Sequence, residues 1–138
     1  MQDGISFGSL DHAGSDRFQR LRAELGVETF GLNLIRLAPR QRGRIHAHER
    51  QEEVYLVLEG ELTLLVEGDE EVLGPDRLVR VGPAVRRQLV NAGTGRLVLL
   101  AMGGAEDHNG RDGIAYDEWD SPEGRSPQEM PMPPDLPV

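Results

Sequence analysis

The feature that most constrains the fold is a succession of short apolar segments between residues 28 and 102. Phe30, Leu32 and Leu34 alternate with small or polar residues, and this period of two is that of a half-buried strand. Similar segments recur along the chain and are separated by turn residues. About eight strands in about 75 residues predict an all-β fold, an antiparallel barrel or sandwich.

One of these segments, residues 54–58, is apolar on both faces. An antiparallel strand with one face in water would carry polar side chains at alternate positions. One face of this strand would therefore line the interior of the barrel. The other must be covered, either by an N-terminal helix or by a second subunit.

The N-terminal segment, residues 1–28, is predicted to hold one short amphipathic helix. Ser15 or Asp16 would cap its start, and Gly26 would end it after Leu25. We expect packing against the domain, and no chemistry, from this helix. Its apolar positions, spaced i, i+3 and i+7, are Phe18, Leu21 and Leu25.

Charge is distributed unevenly along the chain. The 15 basic residues are all arginine and face 24 acidic residues, for a net charge of −9. Residues 1–104 carry 13 arginines and 15 acids, whereas residues 105–138 carry 2 arginines and 9 acids. The acidic sum argues against a protein that binds nucleic acid or anionic lipid. The predicted barrel, residues 29–104, is nearly neutral, so the acidity of the whole chain says little about its ligands.

Residues 105–138 are expected to form an acidic, proline-rich extension. Six of the nine prolines fall in the last 17 residues, which excludes a regular helix or strand there. Ile114, Tyr116 and Trp119 precede these prolines, and we expect the three side chains to dock onto the barrel. A disordered, solvated tail is the alternative.

Other classes of protein are excluded by what the chain lacks. There is no cysteine, so neither disulfides nor thiolate chemistry is available. The longest apolar run extends from Leu97 to Met102. A membrane-spanning helix needs about 20 apolar residues, so this run is far too short. The first residues lack the charged and apolar blocks of a signal peptide. We therefore expect a soluble, cytoplasmic protein.

Two of the four histidines, His46 and His48, are spaced i, i+2. On a strand this spacing places both imidazoles on one face, within reach of a single ion. Glu53 opens the next strand, where parity places it on the same face as Tyr55 and Val57. The carboxylate could complete a two-histidine, one-carboxylate set suited to Fe(II), Mn(II), Ni(II) or Zn(II). By itself, a His-Ala-His pair beside acidic residues is also what a solvated strand end looks like.

The wider spacing resembles the first motif of the cupin family. His46-x-His48 is followed after four residues by Glu53 and after six more by Gly60, and the similarity extends over residues 29–102. The resemblance implies a cupin double-stranded β-helix, or jelly-roll barrel, with a divalent transition metal in its mouth. The two histidines, the glutamate and a third histidine from a second motif would hold the metal. Because a second subunit often covers the outer sheet in cupins, we expect a homodimer.

The sequence departs from the family pattern in both motifs. Arg40 stands where the first motif usually begins with glycine, although Gly43 is nearby. The second motif aligns to residues 82–91 and keeps Asn91, but Arg87 occupies the position of the expected histidine. A guanidinium stays protonated and offers only donors, so Arg87 is no metal ligand.

Two arrangements of Arg87 remain open. In the first, it swings aside, and His46, His48 and Glu53 hold a metal with water in the open positions. In the second, it pairs with Glu53 as a charge-assisted fork and replaces the metal. The orientation of Arg87 therefore distinguishes a metal-binding protein from a metal-free ligand-binding or sensing module.

The barrel site is the expected location of any ligand or catalysis, because the sequence shows no nucleophilic triad, phosphate loop or redox pair. We expect a pocket for a small polar or anionic ligand, with Tyr55 and Arg87 as its polar residues. Its apolar lining would be Val57, Leu64, Val85 and Leu89. Oxygenases, isomerases and lyases all occur in the family, and the sequence does not decide among them or whether the protein is an enzyme.

The remaining histidines and arginines leave alternatives open. His12 and His108 are expected to be loop residues, although His108 could fold back as a substitute ligand. Inward-pointing arginines on the strands would make the pocket cationic. Alternatively, most are solvated or paired with nearby glutamates, at about 0 to 1 kcal/mol each. The arginines concerned are Arg36, Arg44, Arg80, Arg86 and Arg87.

Overall fold

The computed structural model describes residues 3–105 and 112–137. Within these ranges the chain forms ten strands, one α-helix and one 3-10 helix. In chain order they are β1 (Phe18–Gln19), α1 (Leu21–Leu25), β2 (Gly31–Leu37), β3 (Ile45–His48), β4 (Glu52–Glu59), β5 (Leu62–Val66), β6 (Asp69–Leu73), β7 (Leu78–Val81), β8 (Gln88–Val90), β9 (Leu97–Gly104), β10 (Gly113–Tyr116) and the 3-10 helix Pro127–Glu129.

The strands form two antiparallel layers. One layer is a five-stranded sheet in the order β1-β2-β9-β4-β7. The other combines β6-β5-β8 with the pair β10-β3, because backbone bridges from Arg42 to Val90 and from His46 to Arg87 join the two groups. Strands that alternate between facing sheets are the arrangement of a jelly roll, and the predicted all-β jelly-roll barrel is confirmed.

The C-terminal extension packs on the barrel over a long stretch. Strand β10 pairs with β3, with Ile114 opposite Ala47 and Tyr116 opposite Ile45, so this part of the extension docks through its backbone. Of the three side chains expected to dock, the Tyr116 ring lies against the Arg86 guanidinium of the barrel, and Trp119 is held through its carbonyl, which accepts from Arg86. Further along, Met130 is buried. The solvated-tail alternative is wrong for these residues, because backbone pairing and an apolar anchor both fix them.

The predicted N-terminal helix is shorter than its apolar spacing indicates. It begins at Leu21 and not at Ser15 or Asp16, and it ends as predicted at Gly26, which has a left-handed φ of 73°. Phe18 and its neighbour Gln19 instead form β1 on the edge of β2. Pairing of this backbone with the sheet satisfies its donors and acceptors, so it outweighs the local helical pattern.

The core lies between the two layers and follows the alternation of the strands. On β4, Tyr55 and Val57 point inward and are buried, with the carboxylate of Glu53 on the same face. The other side chains of this core are Ile35, Leu37, Leu62, Leu64, Leu73, Val81, Leu89, Leu97, Leu99 and Ala101. Parity on β4 is therefore as predicted, and it directs Glu53 toward the interior.

Helix α1 covers part of the outer face of the five-stranded sheet. Leu21 packs there with Leu34 and Val98, and Leu58 adjoins this cluster. Toward the β7 edge, Leu78 remains 60% exposed. A helix thus covers one end of the apolar face. A homodimer that covers the rest stays a prediction, which light scattering would confirm by a mass of two chains.

Gly60 closes the turn after β4 and has no substitute among L-residues. Its φ is 79°, and a Cβ at this position would overlap the Arg96 carbonyl. The register of β4 against β9 shifts between Val57 and Glu59, immediately before this turn. This glycine lets β4 fold back tightly next to β9.

Candidate functional site

The two histidines of β3 project from one face of their strand. Ile45 and Ala47, which alternate with them, are buried on the opposite face. The imidazole rings of His46 and His48 are edge-to-face, with centroids 5.4 Å apart and an interplanar angle of 87°. The i, i+2 spacing therefore brings both rings to the same place, as predicted from the strand period.

Glu53 meets both imidazoles at a single oxygen. Its Oε1 lies 3.7 Å from Nε2 of His46 and 3.7 Å from Nε2 of His48. One nitrogen from each histidine and one carboxylate oxygen lie within 4.8 Å of one another. These distances are too long for hydrogen bonds, yet they bring three donor atoms of metal-ligand type together.

Arg87 lies beside this cluster and is completely buried. Its backbone exchanges two hydrogen bonds with His46, at 3.0 and 2.9 Å, so Arg87, which directly precedes β8, lies opposite His46 of β3. Its Nη2 donates to Glu53 Oε1 at 2.7 Å, and its Nη1 donates to the Val85 carbonyl at 3.0 Å. Arg87 therefore pairs with Glu53, which is the second of the two predicted arrangements, and it does not swing aside as in the first. A metal ion at this site would have to share Glu53 with the guanidinium.

Arg87 does not make a bidentate pair with Glu53, because only its Nη2 donates to the carboxylate and its Nε donates to Tyr55. Arg87 Nε donates to the Tyr55 hydroxyl at 3.1 Å, and that hydroxyl donates to Glu53 Oε1. Oε1 thus accepts two hydrogen bonds, from Arg87 Nη2 and from the Tyr55 hydroxyl. A carboxylate oxygen has about two lone pairs, so both are in use. The three side chains form a closed hydrogen-bonded triangle.

The far nitrogens of the two imidazoles are held differently. Nδ1 of His46 lies 3.2 Å from the Arg44 carbonyl, which is only an acceptor. In the tautomer that makes this hydrogen bond, Nδ1 carries the proton and the lone pair of Nε2 is available to a metal ion. Nδ1 of His48 is buried without a hydrogen-bond partner among the described residues and lies 4.0 Å from Oδ2 of Asp112. That carboxylate accepts the backbone N–H groups of residues 50 and 51.

Burial and charge set the protonation states of the cluster. Burial, with a contribution from the Arg87 charge, lowers the pKa of His46 and keeps this imidazole neutral. Burial alone would raise the pKa of Glu53, but the two imidazoles and Arg87 outweigh it and hold that pKa well below its usual range. Burial, and then the Glu53 charge, raise the pKa of Tyr55. The cluster therefore holds a carboxylate, a neutral His46 imidazole and a protonated phenol.

The cluster opens into a cavity of about 1100 Å³. The barrel contributes Tyr55 and Leu89 to its wall, as predicted, whereas Val57, Leu64, Val85 and Arg87 belong to the surrounding core. Arg87 reaches the cavity only through Glu53 and Tyr55. Side chains from outside the barrel complete the wall: Arg17, Phe18, Arg20, Arg22 and Ala23 from the N-terminal segment, and Pro127, Gln128 and Met132 from the extension.

Sequence reasoning missed Arg17, Asp112 and Gln128. They stand far from the histidine motif in the chain, and no local spacing connects them to it. They reach the cavity or its histidines because the terminal segments pack across the barrel. Only a signal that couples distant positions could have found them.

The arginines on or next to the barrel strands differ in what they contact. Arg44 lines the cavity, and burial, then the Arg17 charge, lower its pKa. Arg80 pairs with Glu52 at the surface, at 2.6 Å. Arg86 stacks on the Tyr116 ring at 3.7 Å. A position on a strand therefore does not tell whether an arginine lines the cavity. The contacts that its side chain makes do.

Of the two other histidines, only His12 is among the described residues, and it does not enter the site. His12 lies in an exposed loop, with Nδ1 at 3.2 Å from Glu59 Oε2. The expectation for His108 lies outside the described residues.

A jelly-roll barrel with a histidine and carboxylate cluster in its interior defines the class of this protein. A model of the cupin domain matches residues 33–103, more than half of the 138 residues. The chain therefore belongs to the cupin family. No curated protein matches it in sequence, and no described helix is long and apolar enough to cross a membrane.

Several solved structures are similar to it. A candidate sugar phosphate isomerase from Acidithiobacillus ferrooxidans is 30% identical, with a TM-score of 0.60 over 65% of this chain and 59% of that one. A sugar phosphate isomerase of the cupin superfamily from Silicibacter pomeroyi is 26% identical, with a TM-score of 0.63 over 73% and 65%. A cupin 2 conserved barrel domain protein from Salinispora arenicola, 22% identical with a TM-score of 0.64 over 75% and 92%, shows a likeness of fold alone. The chain spans less than two thirds of the length of the first two.

Proposed function

We propose that the protein binds a divalent transition metal through His46, His48 and Glu53 and admits a small polar or anionic ligand beside it. The observation that carries the proposal is the approach of both Nε2 atoms to one carboxylate oxygen at 3.7 Å. Two imidazoles and one carboxylate are the donor set of facial-triad sites.

The chemistry of the donor set fits a metal. The Arg44 carbonyl can accept the Nδ1 proton of His46, which leaves Nε2 as the metal donor, and metal-bound histidines are commonly held in this way by their other nitrogen. Asp112 stands near the corresponding nitrogen of His48. Glu53 is ionised and His46 is neutral, which are the forms that bind metal without first losing a proton.

Arg87 limits how Glu53 takes part. Tyr55 and Arg87 already donate to Oε1, so this oxygen has no lone pair left for a third partner. As a ligand, Glu53 would use its other oxygen or give up one of these donors. The Arg87 charge also opposes a second cation close by. Metal affinity is therefore expected to be lower than in a site with three histidines.

A bound divalent ion would supply Lewis-acid chemistry, drawing electron density from an oxygen atom of the ligand. Around it, the polar and charged side chains that line the cavity would orient the ligand. Two similar proteins are named as sugar phosphate isomerases. This similarity supports an anionic, hydroxyl-bearing ligand and an isomerase reaction.

Metal titration of the full chain without a histidine tag tests the proposal. After treatment with EDTA, the wild-type protein is expected to take up one equivalent of Mn(II), Fe(II), Ni(II) or Zn(II). His46→Ala and His48→Ala should each lower the affinity at least about tenfold. His12→Ala is the matched control, because this histidine is exposed and pairs with Glu59. Failure of all four metals to bind at one equivalent would overturn the proposal.

A second candidate is a metal-free module in which the Arg87 and Glu53 pair replaces the metal. The 2.7 Å contact between the two side chains, with Arg87 fully buried, favours it. In such a module the pocket would capture an anionic ligand without an ion. Ligand binding that is unchanged by EDTA, in a protein that takes up no metal, would select this candidate over the first.

A further inference from the structure

The cavity carries charged side chains that the metal proposal does not use. Four arginines line it, and Glu53 is the single carboxylate among its described lining residues. Because Arg87 already neutralises Glu53, the cavity is cationic within a chain of net charge −9. Such local charge favours an anionic occupant. The four are Arg17, Arg20, Arg22 and Arg44.

Two of these arginines have structural or peripheral positions. Arg22 donates from Nε to the Val27 carbonyl and from Nη2 to the Glu28 carbonyl, at 3.0 and 3.1 Å. These bonds tie the end of α1 to the following turn. Arg20 is exposed to solvent. Neither is in a position to hold a ligand deep in the cavity.

Arg17 and Arg44 differ from them. Both are half-buried, and neither lies within 4.0 Å of a carboxylate in the described part of the chain. Each donates one hydrogen bond to a main-chain carbonyl. Arg17 Nη1 donates to the Arg42 carbonyl at 2.8 Å, and Arg44 Nε donates to the Met130 carbonyl at 2.8 Å. Since a guanidinium has five N–H donors, most of the donors of both remain for a ligand.

Their anchoring also places them next to the histidine cluster. Arg44 precedes His46 by two residues, so an extended chain directs both side chains to the same face. Arg17 is fixed to the carbonyl of Arg42, at the start of the same segment. Two like charges on one wall repel each other, and an anion between them would relieve that repulsion. The bonds to the main chain hold both guanidinium groups in place before a ligand arrives.

We propose that Arg17 and Arg44 form an anion subsite that holds the doubly charged end of the ligand, a phosphate monoester or a carboxylate pair. The uncharged part of the ligand then extends to His46, His48 and Glu53. Planar guanidinium groups match the oxygens of phosphate and carboxylate, and two of them match a dianion. The subsite deepens the proposed function and rests on it only for the direction in which the ligand extends.

Calorimetry on the EDTA-treated full chain tests the subsite, with inorganic phosphate as one probe and succinate as the other. Arg17→Gln and Arg44→Gln should each weaken binding of the phosphate about tenfold, which is about 1.4 kcal/mol. Arg77→Gln is the matched control, because it makes the same change of charge at an exposed arginine outside the cavity. Its affinity for the probe should equal that of the wild type.

The outcomes separate the two sources of the anion. Weaker binding of phosphate in both variants supports a phosphorylated ligand, and the same pattern with succinate alone supports a dicarboxylate. If neither probe binds, or if Arg77→Gln loses as much affinity as the two cavity variants, the subsite is overturned. Should a glutamine variant melt early, Arg17→Lys and Arg44→Lys keep the charge and lose the planar fork. Unchanged affinity in both lysine variants would then overturn it.

The subsite and the metal site fail separately in this design. The probes are measured without metal, and metal uptake is measured again in the doubly substituted Arg17→Gln, Arg44→Gln protein. Loss of phosphate binding with normal metal uptake is the expected result. Phosphate binding in a protein that takes up no metal would remove the metal proposal and leave the subsite standing.

Discussion

Two buried arginines, Arg36 on β2 and Arg87 beside β8, stabilise their surroundings in different ways. Arg36 donates to the main-chain carbonyls of Asp11, Asp16 and Phe18, at 2.7, 2.7 and 3.3 Å. Arg87 donates to one main-chain carbonyl, of Val85, but its other two bonds go to side chains that can change state, a carboxylate and a phenol. A peptide carbonyl does not titrate, so it holds the guanidinium in one structural role. A carboxylate or phenol can gain or lose a proton or bind a metal, so the environment of the guanidinium changes with the state of its partner.

The difference also separates two functions of the chain. The bonds of Arg36 fasten the N-terminal segment to the sheet, and that segment brings Arg17 to the cavity. The bonds of Arg87 orient Glu53 toward the histidines. One arginine therefore assembles the wall of the cavity, and the other sets the chemistry of its interior.

The largest effect is expected from Arg36→Met. Three carbonyls of the N-terminal segment would lose their charged donor, and the free energy of unfolding should fall by about 3 kcal/mol. Urea unfolding followed by circular dichroism measures it. Metal uptake should stay normal, and exposed Arg77→Met should change stability by less than about 0.5 kcal/mol. A loss no larger than this control would contradict the structural role of Arg36.

Arg87→His should have a smaller effect of the opposite kind. A neutral imidazole would replace the cation beside Glu53 and add a donor, so affinity for Ni(II) or Zn(II) should rise about tenfold, or about 1.4 kcal/mol. Competition with a chelating dye measures the change. Arg86→His, one residue away and stacked on Tyr116, is the control. Equal affinity in Arg87→His and the parent would show that Arg87 does not oppose the metal.

The stability of the metal-free protein should fall with acid. The folded-state pKa values of His46 and Glu53 both lie below their usual values of 6.5 and 4.5, so the unfolded chain binds more protons. Both contributions are complete near neutral pH. The His46 contribution is lost as pH falls below about 6.5, and that of Glu53 as pH falls below about 4.5. Urea unfolding in EDTA across this range measures the fall.

Two variants assign these losses to their groups. His46→Gln should remove the part above about pH 5, whereas Glu53→Gln should flatten the more acidic part. His12→Gln serves as the exposed control and should keep the full wild-type profile. An unchanged slope in both buried variants would show that other groups cause the acid sensitivity.

The smallest effect is expected from Arg80→Gln. The Arg80–Glu52 pair is as close as the Arg87–Glu53 pair, at 2.6 against 2.7 Å. Unlike the latter, the side chains of Arg80 and Glu52 are both more than half exposed. An ion pair in water contributes about 0 to 1 kcal/mol, and thermal melting should shift accordingly little. A larger loss than in Arg36→Met would refute burial and partner chemistry as the basis of the comparison.

Much of the candidate site was predictable because it depends on local geometry. The period of two places His46 and His48 on one face, and a short turn brings Glu53 back opposite them. The same period directs Tyr55 inward. The direction of each side chain follows from strand geometry over ten residues. That Glu53 then faces the histidines depends also on the packing of the two layers, because β3 and β4 belong to different sheets.

The helix start and the cavity arginines show where such reasoning stops. The spacing of Phe18, Leu21 and Leu25 is helical, yet Phe18 lies on an edge strand, because backbone pairing with β2 is available only in the folded sheet. Arg17 and Arg44 come together in the same way, through packing of the N-terminal segment and the extension on the barrel.

By itself, the sequence determined the short strands and the facing histidines. Its resemblance to the cupin family implied the jelly-roll order and showed an arginine where a third histidine is usual. Only the tertiary structure decided that Arg87 lies buried against Glu53 and Tyr55, and that Arg17 and Arg44 share one cavity. The reason is physical. Strand periodicity is a property of neighbours in the chain, whereas the partner of a charged side chain is set by which distant segments pack around it.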